Sequence, residues 1–307
     1  GFGTRMGAIG TRLPKVMWPI FGQSLLELQL RFAQSLGYTE IWINLFHQAD
    51  TILQMTAGNP VFKDVRWLRE SPEILDIGGG IHNLASRSEV NYQGELLVLN
   101  ADQFLWFTKD DLEQWRQAAK NSEVMLLNWE VESTLGYNQV LSDPQRKFMK
   151  VVKNGELPRG VMMETYSGNA LINLERLRPH NGVSKFFDSV CNPALNRCST
   201  SLIRYGKCWD FGTAPRYWKS IQGIISAKAS QAEDPFTRFV EETGAFQRVL
   251  FKPATLSYGS DAKNLMNFGE GLPAATHPPG VILHGPPLRD ISGGTYLVFD
   301  GEAQSLS

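Results

Sequence analysis

The sequence predicts an α/β fold: a Rossmann-like, mostly parallel mixed sheet with helices on both faces. Segments with helical spacing of apolar residues alternate with short apolar runs over residues 24–128. Such alternation is typical of strands joined by helical crossovers, which build a parallel sheet. The chain has 307 residues, 42% hydrophobic and 20% charged, so it is long and apolar enough to bury a core of this kind.

The elements follow one another in that order. The predicted strands are EIWINLF, VRWLRE, residues 96–99 and EVMLLNW. The predicted helices are QSLLELQLRFAQSLGY, which ends at Gly37, then ADTILQMTAG, GIHNLASRS and TKDDLEQWRQAAKNS. Thr108 is the expected N-cap of the last helix, because a threonine precedes acidic residues in its first turn.

The rest of the chain divides into a middle region and a tail. In the middle, YNQVL and KFMKVV predict a hairpin around SDPQR, YSGNALINLERL predicts a strand that continues into a helix, and KFFDSVCNPAL predicts a helix. The tail contains HPPG, GPP and SGG between short apolar runs. We therefore expect a main domain over residues 1–228 and a small, irregular, β-containing C-terminal extension over residues 229–307, whose role the sequence does not indicate.

Charge and composition restrict the partners. The net charge is −1, which gives no general attraction to nucleic acid or to an anionic membrane. No apolar stretch is long enough to span a bilayer, so a cytoplasmic protein is expected. The three cysteines, Cys191, Cys198 and Cys208, lack C-x-x-C spacing and are expected to be free thiols rather than a disulfide or metal site. The oligomeric state stays open, with a homo-oligomer among the possibilities.

The opening segment GFGTRMGAIGTRLPK is a candidate anion site. Gly1 and Gly3 allow a tight turn whose backbone N–H groups converge. Arg5 suits bidentate contact with a phosphate, and Lys15 adds a second positive charge. The pattern lacks the P-loop sequence and the third glycine of a dinucleotide fingerprint. A polyphosphate site and a flexible glycine-rich terminus are the two interpretations.

Two aspartates and a glycine triplet follow predicted strands. Asp102 comes directly after LLVL, and Asp210 lies in WDFGTAP. Each carboxylate is a candidate ligand for a divalent metal, with an Asx turn and a helix N-cap as the respective alternatives. The triplet of residues 78–80, in ESPEILDIGGG, is expected to form a loop at the ligand-binding edge of the sheet.

These motifs together resemble the sugar-1-phosphate nucleotidyltransferases, the nucleotide-sugar pyrophosphorylases. That family carries G-x-G-T-R-[LM] and, after a spacer, P-K-x-x-x-P, and here GFGTRM and LPKVMWP stand at the matching spacing. INLFHQAD, RESPEILDIGGGIHN, LVLNAD, YSGNALI and WDFGTAP match in the family's order, over roughly residues 1–225. Among family members the chain is most similar to short forms that act on N-acetylmuramate 1-phosphate with uridylyl transfer, or on mannose 1-phosphate with guanylyl transfer.

The resemblance implies the nucleotide-diphospho-sugar transferase fold and a set of roles. It implies nucleotide binding by Gly1, Gly3, Thr4, Gly78, Gly79 and Gly80, catalytic roles for Arg5, Lys15 and Asp102, a magnesium site at Asp102 and Asp210, and a sugar site near Gly168 and Asn169. The substrates implied are UTP or GTP and a sugar 1-phosphate, and the pathway implied is nucleotide-sugar synthesis for cell-envelope polysaccharide.

The implied reaction is Mg²⁺-dependent nucleotidyl transfer to the sugar phosphate, with pyrophosphate leaving. The nucleophile is already an anion, so the site needs charge neutralisation rather than a catalytic His or Cys. We therefore expect structural roles for His47 and His82. The family's Glu-Lys-Pro, which grips the sugar phosphate, is absent, and Lys150 or Lys153 is a candidate substitute. The alternatives are a non-catalytic, nucleotide-sugar-binding or regulatory relative, and a transferase acting on another phosphomonoester such as phosphocholine.

The first residue raises an expectation of its own. In the family, the glycine-rich loop follows a central strand, and none precedes Gly1 in this sequence. We therefore expect the natural protein to have on the order of ten more residues before Gly1, which would supply that strand.

Overall fold

The computed structural model describes residues 10–11, 13–156, 158–203, 208–229 and 234–245, together with the strand segments 265–267, 280–283, 296–299 and 302–305. The chain forms two compact units that interleave along the sequence. The first unit takes residues 1–41, 47–64 and 209–307, and the second takes residues 42–46 and 65–208. The expected boundary at residue 228 stays a prediction.

The described α-helices are α1 (Leu25–Ser35), α2 (Ala49–Thr56), α3 (Asp76–Ala85), α4 (Lys109–Ala118), α5 (Ala214–Ala229) and α6 (Pro235–Glu242). The strands before residue 160 are β1 (Pro19–Ile20), β2 (Gln23–Ser24), β3 (Trp42–Leu45), β4 (Arg66–Arg69), β5 (Glu95–Val98), β6 (Gln103–Leu105), β7 (Val124–Glu132), β8 (Gln139–Ser142) and β9 (Phe148–Val152). The later strands are β10 (Met162–Asn173), β11 (Cys198–Leu202), β12 (Cys208–Asp210), β13 (Leu265–Asn267), β14 (Gly280–Leu283), β15 (Tyr296–Phe299) and β16 (Glu302–Ser305).

The second unit is built on a mixed sheet. Its four strands lie in the order β11, β7, β10, β5, with β11 parallel to β7 and β10 antiparallel to both β7 and β5. Three strands therefore run in one direction and β10 runs against them. Strands β3 and β4 form a separate parallel pair, and β8 and β9 form the expected hairpin. These elements confirm the α/β fold class.

Strand β7 lies at the centre of that unit. Val124, Met125, Leu126 and Leu127 are all nearly inaccessible to solvent, although consecutive side chains of a strand point to opposite faces. Both faces of the sheet are therefore covered at this point, as in α/β proteins generally. The core on one face continues through residues of β10, β11 and α3, namely Ala170, Ile172, Cys198, Ile81 and Ala85.

The first unit packs around α1. Ser24 caps this helix by accepting a hydrogen bond from the Glu27 N–H at 3.1 Å, and the predicted helix is thereby confirmed. Phe32 packs edge-on against Phe239 of α6, with ring centroids 5.7 Å apart. The Tyr217 hydroxyl of α5 donates to the Pro19 carbonyl at 2.6 Å, which joins α5 to the segment that precedes α1.

Local predictions have mixed outcomes. Helix α4 begins as expected at Thr108, which forms a capping box with Asp111. The segment YSGNALINLERL is wrong in its second half, because β10 continues to Asn173 and turns follow rather than a helix. KFFDSVCNPAL contains only a five-residue π-helical turn, Phe186–Val190. In the tail, β13, β14 and β15 pair in parallel and β16 pairs antiparallel with β15, so the strands expected there are present.

Candidate active site

The glycine triplet is helical, which corrects the loop expected from sequence. Gly78, Gly79 and Gly80 lie in the first turns of α3, which begins at Asp76. A β-carbon on Gly79 would lie 2.5 Å from the Gly182 carbonyl oxygen, and one on Gly78 would lie 2.5 Å from the carbonyl oxygen of Lys185. The first two glycines are therefore required by close packing against the segment 182–189. The nucleotide contacts implied for the triplet stay a prediction.

A buried carboxylate organises the loop that leads to this helix. Glu70, at 4% exposure, follows β4 and accepts hydrogen bonds from Asn44 Nδ2 at 3.0 Å and from the Leu75 N–H at 2.8 Å. A β-carbon on Gly80 would lie 3.0 Å from the Glu70 Oε1 atom. Glu70 thus holds the loop of residues 71–75 against the end of β3. Sequence reasoning missed it, although an acidic residue at a predicted strand end was the available signal.

Asp102 lies in a turn beyond the carboxyl end of β5. The Gln103 N–H donates to the Asn100 carbonyl at 3.2 Å, so residues 100–103 form a four-residue turn with Asp102 in its third position. Asp102 as a residue is partly exposed. A carboxyl end of a strand in an α/β sheet is the usual place for a ligand.

Gly168 and Asn169 lie directly beside this turn. Gly168 has a φ of +82°, and a β-carbon there would lie 2.7 Å from the Asn100 Cβ atom. Asn169 Oδ1 accepts a hydrogen bond from the Asn100 N–H at 3.0 Å. The structure thus brings three of the predicted site residues together: Asp102, Gly168 and Asn169.

Asp210 belongs to the first unit and has strong local partners. Its Oδ1 atom accepts from the Gly212 N–H at 2.7 Å, and its Oδ2 atom pairs with Arg216 Nη1 at 2.9 Å. The carboxylate thus forms an Asx turn with Gly212, whereas the helix N-cap expected as its alternative role is not at Asp210, because Thr213 is the residue that precedes α5. A metal at Asp210 would have to compete with the Arg216 guanidinium for the carboxylate.

Of the remaining predicted site residues, those of the opening segment, only Lys15 lies within the described structure. Lys15 is described, in a short 3-10 helix of residues Lys15–Met17 in the first unit, and is partly buried. Gly1, Gly3, Thr4 and Arg5 lie outside the described residues, so their roles stay predictions.

The donors at Asp102 suit magnesium. In the part of the chain that the structure describes, no group of three or more His, Cys, Asp or Glu side chains is placed to hold a metal. Mg²⁺ commonly binds one or two protein carboxylates and takes its other ligands from water and substrate phosphates. A single partly exposed carboxylate beside a strand end fits that chemistry, whereas zinc would need three or four closed N or S ligands.

Two titratable groups away from Asp102, His82 and Cys191, are buried in the second unit. Burial, and then repulsion from His180, lowers the pKa of His82 to about 4, and its Nδ1 lies 3.0 Å from the Tyr92 hydroxyl. Burial raises the pKa of the Cys191 thiol, which keeps it protonated and unreactive. In the part of the chain that the structure describes, Cys191, Cys198 and Cys208 form no disulfide. The structural role expected for His82 therefore agrees with its burial.

An ion pair beside the β8–β9 hairpin was also missed from sequence. Arg146 binds both carboxylate oxygens of Glu164 at 2.6 and 2.7 Å, and Asn128 donates to the same carboxylate at 3.2 Å. Burial raises the pKa of Glu164, but these hydrogen bonds outweigh it and hold the pKa below its usual value. Lys150 and Lys153, the candidate phosphate ligands, are exposed, and their role stays a prediction.

Comparison with known families gives a match over most of the chain. Residues 1–194 match the family described as MobA-like NTP transferase domain. The protein named bifunctional protein GlmU from Synechococcus sp. strain RCC307 is 28% identical over 156 residues, which is 50% of this chain and 33% of that protein. GlmU from Prochlorococcus marinus strain NATL2A is 29% identical over 155 residues. The chain thus spans about a third of the length of these curated relatives.

Solved structures share the fold. The crystal structure of HddC from Yersinia pseudotuberculosis superposes with a TM-score of 0.60 at 21% identity, covering 73% of this chain and 95% of that one. A second crystal structure of HddC, complexed with GMP-PN, matches equally well. Among the described helices, none is long and apolar enough to cross a membrane.

Proposed function

We propose, because this chain belongs to the family of MobA-like NTP transferase domains, that it transfers a nucleotidyl group from an NTP to a sugar 1-phosphate. The products are a nucleotide sugar and pyrophosphate, and the reaction depends on Mg²⁺. UTP and GTP are the proposed donors, and the cytoplasm is the proposed setting. The HddC complex with GMP-PN supports a nucleotide ligand for a protein of this fold.

The observation that carries the proposal is the placement of Asp102. This carboxylate stands on a defined turn just past the carboxyl end of β5, beside the bulge that contains Gly168. We assign Asp102 as the principal magnesium ligand. The ion supplies charge neutralisation between the nucleotide phosphates and the attacking sugar phosphate. Asp210 is the second proposed ligand, and its carboxylate is shared with Arg216.

Two cations of the proposed site also reduce the repulsion between the nucleotide phosphates and the sugar phosphate. Lys15 would bind the α-phosphate or the sugar phosphate, and Arg5 would bind the nucleotide phosphates. Their positive charges stabilise the charge that builds up on the transferred phosphoryl group. The sugar phosphate needs no general base, which agrees with the neutral, buried state of His82. The contacts of Gly78 to Gly80 with the nucleobase belong to the same proposal.

A matrix of substrates tests the function. Pyrophosphate release is measured with each NTP in turn against N-acetylmuramic acid 1-phosphate, mannose 1-phosphate, other sugar 1-phosphates and phosphocholine. We expect turnover with at least one sugar 1-phosphate. Turnover only with phosphocholine would show that the acceptor is another phosphomonoester and not a sugar 1-phosphate. Nucleotide binding without turnover for any pair would instead favour the non-catalytic relative.

The metal assignment is tested by Asp102→Asn, which keeps the size of the side chain and removes the charge. Turnover should fall by about two or more orders of magnitude, since metal ligation is lost while the fold survives. Asp110→Asn is the matched control, because Asp110 is exposed in the first turn of α4. Near-normal turnover in Asp102→Asn, or an equal loss in Asp110→Asn, would refute the assignment.

A further inference from the structure

Strand β10 contains a bulge whose side chains are buried. Its register against β7 shifts between Tyr166 and Asn169, so Ser167 and Gly168 are extra residues on β10. The Ser167 hydroxyl donates to the Leu127 carbonyl at 2.6 Å and accepts from the Asn169 N–H at 3.2 Å. Ser167 is fully buried, and a bulge whose buried hydroxyl is paired in this way is a rigid feature rather than a local irregularity.

Asn169 faces inward from this bulge. Its side chain is 1% exposed, so it is almost completely shielded from solvent. Its Oδ1 atom accepts from the Asn100 N–H at 3.0 Å, and its Nδ2 atom lies 3.4 Å from the Ser167 hydroxyl. A direct contact with a sugar would require the side chain to leave these bonds. The Asn169 side chain is therefore better suited to fix the backbone of Asn100 than to bind a ligand.

The bond from Asn169 reaches the turn that carries Asp102. Asn100 is the first residue of the turn and Asp102 is the third, so fixing the Asn100 N–H limits the orientation of the whole turn. Gly168 completes the contact, since a β-carbon there would lie 2.8 Å from Asn100 Nδ2 and 2.9 Å from Gln103 Oε1. Only a glycine allows the bulge and the turn to approach this closely.

We infer that Asn169 is a positioning residue for the Asp102 carboxylate, acting through the backbone of Asn100. This inference rests on the proposed function in one respect, namely that Asp102 binds a divalent metal. Groups that orient a metal ligand without touching the metal commonly contribute a factor of about 10 to 100 in metal affinity. We call the hydrogen bond between Asn169 and the Asn100 N–H the tether. By orienting Asp102, the tether increases the affinity for the metal and for the nucleotide bound with it.

The test measures metal binding directly, without turnover. Mn²⁺ is titrated into the full chain with UTP or GTP, and the free ion is followed by electron paramagnetic resonance. Asn169→Leu removes the acceptor at similar volume, and it should weaken Mn²⁺ binding about 10- to 100-fold relative to the wild type. Asp102→Asn is the reference for full loss of the protein ligand.

Ser167→Ala is the matched control. It removes hydrogen bonds from the same buried bulge but leaves the bond between Asn169 and Asn100 in place. We expect a loss of stability in urea similar to that of Asn169→Leu, with Mn²⁺ affinity within about threefold of wild type. A purely structural role of Asn169 predicts instead that both variants lose affinity equally, and that result would overturn the inference.

Three further results are decisive. If Asn169→Leu keeps wild-type Mn²⁺ affinity while Asp102→Asn loses it, the positioning role of Asn169 is refuted, but Asp102 remains a metal ligand. Unchanged Mn²⁺ affinity with a raised KM for the sugar phosphate assigns Asn169 to the sugar. If the wild type binds Mn²⁺ with nucleotide but releases no pyrophosphate, the proposed function fails, and the comparison of variants still tests the tether.

Discussion

Replacing Gly79 with alanine should destabilise the second unit, although alanine is the better helix former. Gly79 lies inside α3, and its N–H donates to the Ser184 carbonyl at 3.0 Å. The nearest atom to an added β-carbon is the Gly182 carbonyl oxygen, at 2.5 Å. Because this atom belongs to the backbone, it cannot swing aside as a flexible side chain could.

The magnitude follows from the distances. The β-carbon needs about 0.9 Å more room to reach an ordinary contact of 3.4 Å. Overpacking of this kind typically costs about 1–3 kcal/mol. The shift would also strain two backbone hydrogen bonds, Gly79 to Ser184 and Ser184 to Leu75, worth about 1 kcal/mol each. Alanine returns about 1 kcal/mol through its helix propensity. The expected net loss of unfolding free energy is about 2–4 kcal/mol.

Urea unfolding followed by circular dichroism measures that loss. Gly155→Ala is the control, because no atom lies within 4 Å of a β-carbon at Gly155, and its unfolding free energy should change by less than about 0.5 kcal/mol. If Gly79→Ala is as stable as the wild type but binds nucleotide more weakly, the packing argument is wrong and the glycine serves the ligand alone.

Two further results are expected from the same unit. The pKa of His82 in the folded protein, about 4, lies below its unfolded value of 6.5, so folding favours the neutral ring. The His82 contribution to stability is therefore complete above pH 6.5 and is lost as the pH falls from 6.5 towards 4. Urea midpoints across that range should fall more steeply for wild type than for His82→Gln, and parallel profiles would contradict the assignment. In Glu70→Gln, the amide N–H₂ would face either Asn44 Nδ2 or the Leu75 N–H, both of which donate to the Glu70 carboxylate. The unfolding free energy should therefore fall by about 1–3 kcal/mol. Glu73→Gln is the control, because Glu73 is exposed. Equal stability of these two variants would show that the buried carboxylate is not needed.

Local signals in the sequence predicted local structure well. The capping pattern at Thr108 and the apolar spacing of residues 24–35 each define a helix that the structure contains. Both signals act within a few residues, because a cap bonds the next turn and an amphipathic stripe repeats every turn. Asp102 also lies where its position after an apolar run indicated, beyond the end of β5.

The features that the sequence did not reveal depend on contacts between distant residues. The glycine triplet was expected in a loop, since three glycines usually weaken a helix. In the helix these glycines lie close to Gly182 and Ser184, a hundred residues later in the chain. A glycine inside a strand pattern is a signal for a bulge, and at Gly168 it would have predicted the register shift in β10. No local pattern, however, identifies Asn100 as the partner of Asn169.

The fate of the α-phosphate tests most directly whether this protein transfers a nucleotidyl group to a sugar 1-phosphate. The full chain is incubated with an NTP labelled with ³²P at the α-phosphate, the matching sugar 1-phosphate and Mg²⁺, and the products are separated by chromatography. Attack of the sugar phosphate on the α-phosphorus predicts that all transferred label appears in the nucleotide sugar, with unlabelled pyrophosphate formed in equal amount. Label in the nucleoside monophosphate, or label that remains in the NTP with every acceptor, would contradict nucleotidyl transfer by this protein.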